Sequence, residues 1–342
     1  MTHGHANIPV FIPHLGCPNM CVFCDQKTIS GTESFSEEKV DCEIREALAT
    51  LGKRRAEIAF FGGSFTGIDR GLMIRLLDTA EKYVKSGDAA GIRMSTRPDY
   101  IDEEIIDILG RYTVTEVELG VQSMSDAVLC ASKRGHTAET TERACGMLKE
   151  AGIPFVGQMM IGLPGADGES ERECAERICR LGAVGCRIYP TVVFHGTELE
   201  KMTCAGKYTP LTVDEAAERS ADVLEVFERH GVRVLRIGLC ESDGLHAAEK
   251  YFAGPAHPAM GEIVRSVVFL RRMKDELEKN RPTEKSSLTV EVPRGCVSSA
   301  VGMKRKNKEI LEKTYNIKIK FTENGELTGF SIRVHQTRRE ER

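Results

Sequence analysis

The sequence has no apolar run long enough to cross a bilayer. Its longest, such as Ile8 to Ile12 and Val267 to Leu270, fall far short of the roughly 20 residues a spanning helix needs, so no membrane anchor is expected. The first residues, Met1-Thr-His-Gly-His-Ala-Asn7, carry neither a basic n-region nor an apolar h-region. That argues against secretion and for the cytoplasm. Internal repeats and low-complexity tracts are also missing, which excludes solenoids and arrays.

Cysteine is abundant instead, with 12 residues among 342. In a reducing compartment these remain thiols and are free to bind metal. Nine stand alone, at Cys42, Cys130, Cys145, Cys174, Cys179, Cys186, Cys204, Cys240 and Cys296, mostly within amphipathic patterns, and read as small apolar packing residues. The formal net charge of −4 conceals an asymmetry: residues 261–342 carry 19 Lys and Arg against 12 Asp and Glu, while residues 1–260 carry 28 against 39. A basic appendage on an acidic body suits a nucleic-acid partner, although charged runs commonly form solvated faces.

Apolar, β-branched runs alternate with helical periods, the pattern of a parallel sheet with crossover helices. Strands are expected at Ile8 to Leu15, Ile58 to Gly62, Ile92 to Thr96, Val114 to Val121, Phe155 to Ile161 and Gly185 to Phe194, with helices near 36–51, 68–85, 102–111, 125–132, 138–151 and 169–182. The fold class is α/β: six such units make a partial (β/α)6 barrel, two short of a closed (β/α)8 barrel. Thr212 with Glu215 forms a capping box, the helix it opens runs to about His230, and Val232 to Leu239 reads as a further strand. The barrel is assigned to residues 1–240, with a soft boundary near 240–260. Residues 241–342 form a small, basic α+β extension. It holds a strand near Leu288 to Val292, a helix near 299–315, and a hairpin of Ile317 to Phe321 with Phe330 to His335 turning through Glu323-Asn-Gly-Glu326; Thr337 to Arg342 should fray.

Directly after the first strand comes Gly16-Cys-Pro-Asn-Met-Cys-Val-Phe-Cys24, a C-x3-C-x2-C spacing within a loop at 16–25. Strand C-termini are where α/β folds place their chemistry. Three thiolates this close in sequence, Cys17, Cys21 and Cys24, can each ligate one iron of a cubane, and an iron left without a protein ligand would be an open coordination site. A zinc site completed by His3, His5 or His14 competes with this reading.

The cysteine spacing resembles that of the radical S-adenosylmethionine (SAM) superfamily. The resemblance implies a [4Fe–4S] cluster on the three cysteines, SAM chelated to the unique iron, and release of methionine and a 5′-deoxyadenosyl radical on one-electron reduction, with flavodoxin or ferredoxin as donor. It also implies that Phe23 lies against adenine, and that Gly62, Gly63 and Ser64 occupy the family's Gly-Gly-Glu position, with Ser64 in place of Glu. Further segments, Ser95-Thr-Arg-Pro-Asp99, Leu119-Gly-Val-Gln-Ser123, Lys133-Arg-Gly-His-Thr137, Leu235-Arg-Ile-Gly-Leu239 and Gly254-Pro-Ala-His-Pro258, are similar to the radical SAM part of the Elongator catalytic subunit over roughly residues 8–310. That family modifies the wobble uridine of transfer RNA (tRNA). The chain has no room for the family's acetyltransferase domain and few residues before Cys17, so it looks like a shortened bacterial form.

Ser95, Thr96, Arg97, Gln122 and Ser123 end the third and fourth strands and are expected to contact SAM; helix capping is the competing role for Ser and Thr there. Glu118 and Gln158 sit mid-strand, where buried polar groups require partners. Together with Arg134, His136, Tyr189, His195 and Arg236 they are candidates for the substrate side. Arg294, Lys304, Arg305, Lys306 and Lys308 are candidates for RNA phosphates, with a solvated helix face as the alternative. A radical SAM enzyme acting on a small molecule or peptide, and a non-catalytic iron–sulfur or zinc module, are the competing functions.

Overall fold

The computed structural model describes residues 6–12, 15–17, 21–25, 35–51, 56–239, 251–283 and 285–336. The first half of the chain alternates β1 (Ala6–Phe11), α1 (Glu37–Leu51), β2 (Ala56–Phe61), α2 (Arg70–Lys85), β3 (Ile92–Thr96), α3 (Glu103–Leu109), β4 (Val114–Gln122), α4 (Asp126–Ala131), α5 (Ala138–Glu150), β5 (Phe155–Ile161), α6 (Gly168–Leu181) and β6 (Gly185–Pro190). Then follow β7 (Val193–Phe194), α7 (Glu198–Cys204), α8 (Val213–Arg229), β8 (Arg233–Ile237), β9 (Tyr251–Ala253) and α9 (Met260–Lys279). The last elements are β10 (Ser287–Val292), α10 (Val297–Val301), α11 (Lys306–Tyr315), β11 (Lys318–Glu323) and β12 (Arg333–Gln336).

Seven parallel strands in the order β1-β2-β3-β4-β5-β6-β8 curl into a half-barrel. The six expected units are present, and β8 extends their sheet by one strand. One face of each strand packs on the helices. Ile58, Phe60, Met94, Val117, Leu119, Met159, Ile161 and Ile188 are all essentially buried. Each such side chain contributes roughly 1.5–3 kcal/mol of transfer free energy. Helix α6 lies so close to β5 that a Cβ on Gly157 would stand 2.8 Å from Ile178. Helices open on side-chain caps: Asp69 accepts from Leu72 N, Asp102 from Ile105 N and Thr137 from Thr140 N, and the expected Thr212–Glu215 box opens α8.

Three expectations change. The run Gly185 to Phe194 is not one strand: the chain leaves the sheet after Pro190, and Val193–Phe194 pairs antiparallel with β9. The C-terminal hairpin is absent, because β10 lies between β11, to which it is parallel, and β12, to which it is antiparallel. Leu288, Val290 and Val292 are nearly fully buried, so the most apolar strand takes the central place. The helix near 299–315 is broken at Gly302 (φ 83°), with Lys304 and Arg305 also at positive φ. Asn307 holds that break, its Nδ2 donating to Ser266 O (2.8 Å) and Ala300 O (3.2 Å).

Of the single cysteines, Cys145, Cys174 and Cys186 are buried, and burial pushes the first two thiols up to about 12. Cys179 and Cys296 are half-buried, whereas Cys42, Cys130 and Cys204 are exposed and do not pack; Cys240 lies outside the described residues. Among the described residues no helix is long and apolar enough to cross a membrane.

Candidate active site

The cysteine loop rests on the turn after β2. Gly16 has φ +71°, and a Cβ there would meet the Ser64 carbonyl oxygen at 2.2 Å; one on Gly63 would meet the carbonyl oxygens of Leu15 at 2.5 Å and Ile12 at 2.6 Å. Only glycine allows two main chains this close. Ser64 N–H donates to Leu15 O (3.0 Å), and its buried hydroxyl lies 3.2 Å from Cys17 Sγ. Farther along, Val22 N donates to Ser132 O and Leu199 N to Val22 O, which ties the loop to the α4–α5 connection and to α7. Phe23 packs into an apolar cluster with Val22, Val193, Leu199 and Tyr208. Among the described residues no three Cys, His, Asp or Glu side chains stand close enough together to hold a single metal ion. His3, His5 and His14, the alternative zinc ligands, lie outside the described residues.

Around the loop stand buried polar atoms with no partner among the described residues: Arg97 Nη1, Gln122 Oε1, Arg134 Nε and His136 Nε2. Arg97, only 2% exposed, forks onto Asp99 at 2.9 and 2.8 Å and lies 5.8 Å over the Tyr100 ring. Burial opposes its charge, but Asp99, and then Cys21 and Cys17, hold its proton more tightly than usual. Arg134 donates to Gly120 O (2.8 Å) and reaches Cys21 Sγ at 3.5 Å. Burial, with Arg134 beside it, pulls His136 down to about 4, so the imidazole is neutral at pH 7. Gln122 adopts φ 65°, where β4 bulges against β5. Bulges of this kind re-aim side chains next to sites.

Other rim residues are committed elsewhere. Thr96 Oγ1 lies 2.6 Å from Thr66 Oγ1, which donates to Tyr100 O and locks the β3 end to the β2–α2 turn. Ser123 Oγ accepts from Ser125 N at 3.1 Å, a turn contact of the capping type. Ser95 remains half-buried, in register with Glu118.

Within the lumen, Glu118 is 2% exposed and accepts from Arg187 Nε (2.8 Å) and Nη2 (2.7 Å), Gln158 Nε2 (2.7 Å) and Arg93 Nη2 (3.1 Å). Arg93 also pairs with Glu57 at 3.4 Å and with Glu116. Glu118 is therefore a clamp for its neighbours and is not available as a base. No motif or spacing marks Arg93 and Arg187; their one signal in the sequence is an arginine within an otherwise apolar parallel strand. Tyr189 is half-buried on the same face of β6, two residues along from Arg187. His195 sits apart at the start of α7, bonded to Glu200 at 2.7 Å with its ring edge-on to Phe252. Arg236 is half-buried on β8, in register with Arg187.

Of the basic candidates, Arg294, Lys304, Arg305 and Lys306 are exposed. Lys306 pairs with Asp214 at 3.4 Å, and Lys308 donates to Ile319 O at 2.7 Å, which commits it to the fold.

The profile described as the Radical SAM superfamily matches residues 11–178, and that of the Radical_SAM C-terminal domain matches residues 183–268. An uncharacterized protein of Methanocaldococcus jannaschii is 29% identical over 231 residues, covering 64% of this chain and 70% of its own. The tRNA uridine(34) acetyltransferase of the same organism is 31% identical over 48% of this chain and 34% of that protein, and Elongator complex protein 3 of Schizosaccharomyces pombe is 31% identical over 62% and 47%. The chain thus spans a third to a half of those two relatives. Among solved structures, the archaeal Methanocaldococcus infernus Elp3 with an N-terminal deletion shares the fold at a TM-score of 0.61 and 24% identity, over 82% of this chain and 64% of that one. Two consecutive matched domains on a half-barrel whose first strand leads into the cysteine loop identify the chain as a member of the radical SAM superfamily, whose members bind a [4Fe–4S] cluster and SAM.

Proposed function

We propose that this protein cleaves SAM reductively at a [4Fe–4S] cluster held by Cys17, Cys21 and Cys24, and that it does so to modify tRNA. The group of unpartnered buried atoms around the cysteine loop carries the reading. Arg97 Nη1, Gln122 Oε1, Arg134 Nε and His136 Nε2 offer both donors and acceptors, and leaving them desolvated costs about 1–3 kcal/mol each. A zwitterionic, hydroxyl-rich ligand would satisfy them. A cluster held by Cys17, Cys21 and Cys24 would supply one-electron reduction of SAM to methionine and a 5′-deoxyadenosyl radical, the electron coming from an external reductant such as flavodoxin, ferredoxin or dithionite.

The protein's own part is to bind, orient and exclude water. Gly62, at φ +88°, and Gly63, packed on Leu15 and Ile12, hold the cysteine loop against the turn after β2, and Arg97 and Arg134 bring positive charge beside Cys21. Neutral His136 leaves Nε2 for a hydrogen bond. The Glu118 clamp fixes Gln158 and Arg187, and Phe23 packs with its apolar neighbours beside the cysteine loop. Residues 241–342, with Arg294, Lys304 and Arg305 exposed, are assigned to the RNA side. The tRNA substrate is supported by relatives named for tRNA uridine(34) modification.

Addition of purified tRNA to reconstituted, reduced protein with SAM should raise the rate of 5′-deoxyadenosine release. A rate indifferent to tRNA, and raised instead by a small molecule or peptide, would remove the RNA assignment.

A further inference from the structure

The last strand of the half-barrel carries two arginines that its sequence should separate. Arg233 and Arg236 are three residues apart, which in a regular strand puts them on opposite faces. The β6–β8 ladder, however, shifts register between Cys186 and Arg187. Gly185 faces Arg233 and Cys186 faces Val234, but Arg187 faces Arg236 and Ile188 faces Ile237. Leu235 is the extra residue of this bulge. Arg187 points into the lumen, since it grips Glu118, so both Arg233 and Arg236 lie on the lumen face, beside it.

Charge is unbalanced along this edge. Neither β6 nor β8 contains an acidic residue. Glu118 already accepts four hydrogen bonds from Arg93, Gln158 and Arg187. Among the described residues neither Arg233, which is exposed, nor half-buried Arg236 has an ion-pair or hydrogen-bond partner for its side chain. Strand β8 also ends the sheet, so its arginines border the opening of the half-barrel.

We infer that the β8 edge, with Arg233 and Arg236 turned to the lumen by the Leu235 bulge, is a track for phosphates of the RNA strand that carries the target nucleotide toward the cysteine end. The inference rests on the tRNA reading above. Guanidinium forks match phosphate oxygens in two-point contacts, and two arginines in alternate, same-face register positions suit a strand with regularly repeated charge. Charged edge residues also deter sheet-to-sheet pairing. That role by itself would make their loss promote aggregation and leave RNA affinity unmoved.

Binding of tRNA to the reconstituted 342-residue protein, measured across a salt series, tests the track. The Arg233→Gln/Arg236→Gln protein should show a slope of log affinity against log salt shallower by roughly 1.4 to 1.8, two phosphate contacts' worth, and Arg233→Lys/Arg236→Lys should restore most of it. A folded Gln variant with the wild-type slope overturns the inference while the tRNA reading stands. Absence of salt-dependent tRNA binding by the wild type overturns both. Competition by polyglutamate as effective as competition by tRNA assigns the edge to acidic peptides and overturns the RNA track.

Discussion

Replacing Glu118 tests the lumen clamp, because three side chains depend on it. Glu118→Gln keeps the volume but leaves one acceptor oxygen where two received bonds from Arg93, Gln158 and Arg187, and turns an amide toward cationic donors. Breaking a buried charge pair costs about 3–5 kcal/mol. Arg93 retains Glu57 and Glu116, and the Arg187 side chain keeps 14% of its surface, so the lower end, about 3 kcal/mol, applies. At roughly 2.1 cal/mol/K per residue, unfolding a 342-residue chain carries an entropy near 0.7 kcal/mol/K, and the melting midpoint should fall by about 4 °C. Removing both charges together, as Glu118→Met with Arg187→Met, should cost less than the sum of the single changes by at least about 2 kcal/mol. Urea and thermal unfolding read both quantities. A Glu118→Gln protein within about 0.5 kcal/mol of wild type, or strict additivity in the cycle, would refute the clamp.

Gly63→Ala would place a methyl 2.5 Å from one carbonyl oxygen and 2.6 Å from another, neither of which can move aside alone; iron per chain after reconstitution should drop several-fold while far-UV circular dichroism stays unchanged. Arg97→Lys forfeits the planar fork, and SAM affinity measured by equilibrium dialysis should weaken at least about tenfold with the iron content retained. His136, held near 4 in the fold against 6.5 when unfolded, contributes stability that is fully present above pH 6.5 and is lost as pH falls toward 4. Between pH 7.5 and pH 5, wild type should therefore lose about 2 kcal/mol more than His136→Gln, and parallel losses would contradict the assignment.

Much of the half-barrel was legible because each strand's apolar run and each helix's period are local signals. Ile92–Thr96 and Phe155–Ile161 fall on the expected residues, and the Thr212 box opens α8 where its spacing said. What escaped was non-local. Nothing in the Asn-Gly turn announces that β10 will insert between the two strands it was expected to join. The commitments of Thr96 to Thr66 and Lys308 to Ile319 depend on partners 30 and 11 residues away. The Leu235 bulge is likewise invisible in a run that reads as plain strand. The cysteine loop was legible from spacing alone, while the arginines beside it became identifiable as a group only once β3, β4 and the α4–α5 connection had met.

Reduction of the anaerobically reconstituted protein with dithionite in the presence of SAM, followed by chromatography for 5′-deoxyadenosine, tests the account most directly. Wild type should release it, and Cys21→Ala, which removes one of the three thiols, should not. A fully iron-loaded wild type that yields no 5′-deoxyadenosine, or a Cys21→Ala protein that yields as much as wild type, would contradict the assignment of Cys17, Cys21 and Cys24 to radical SAM chemistry.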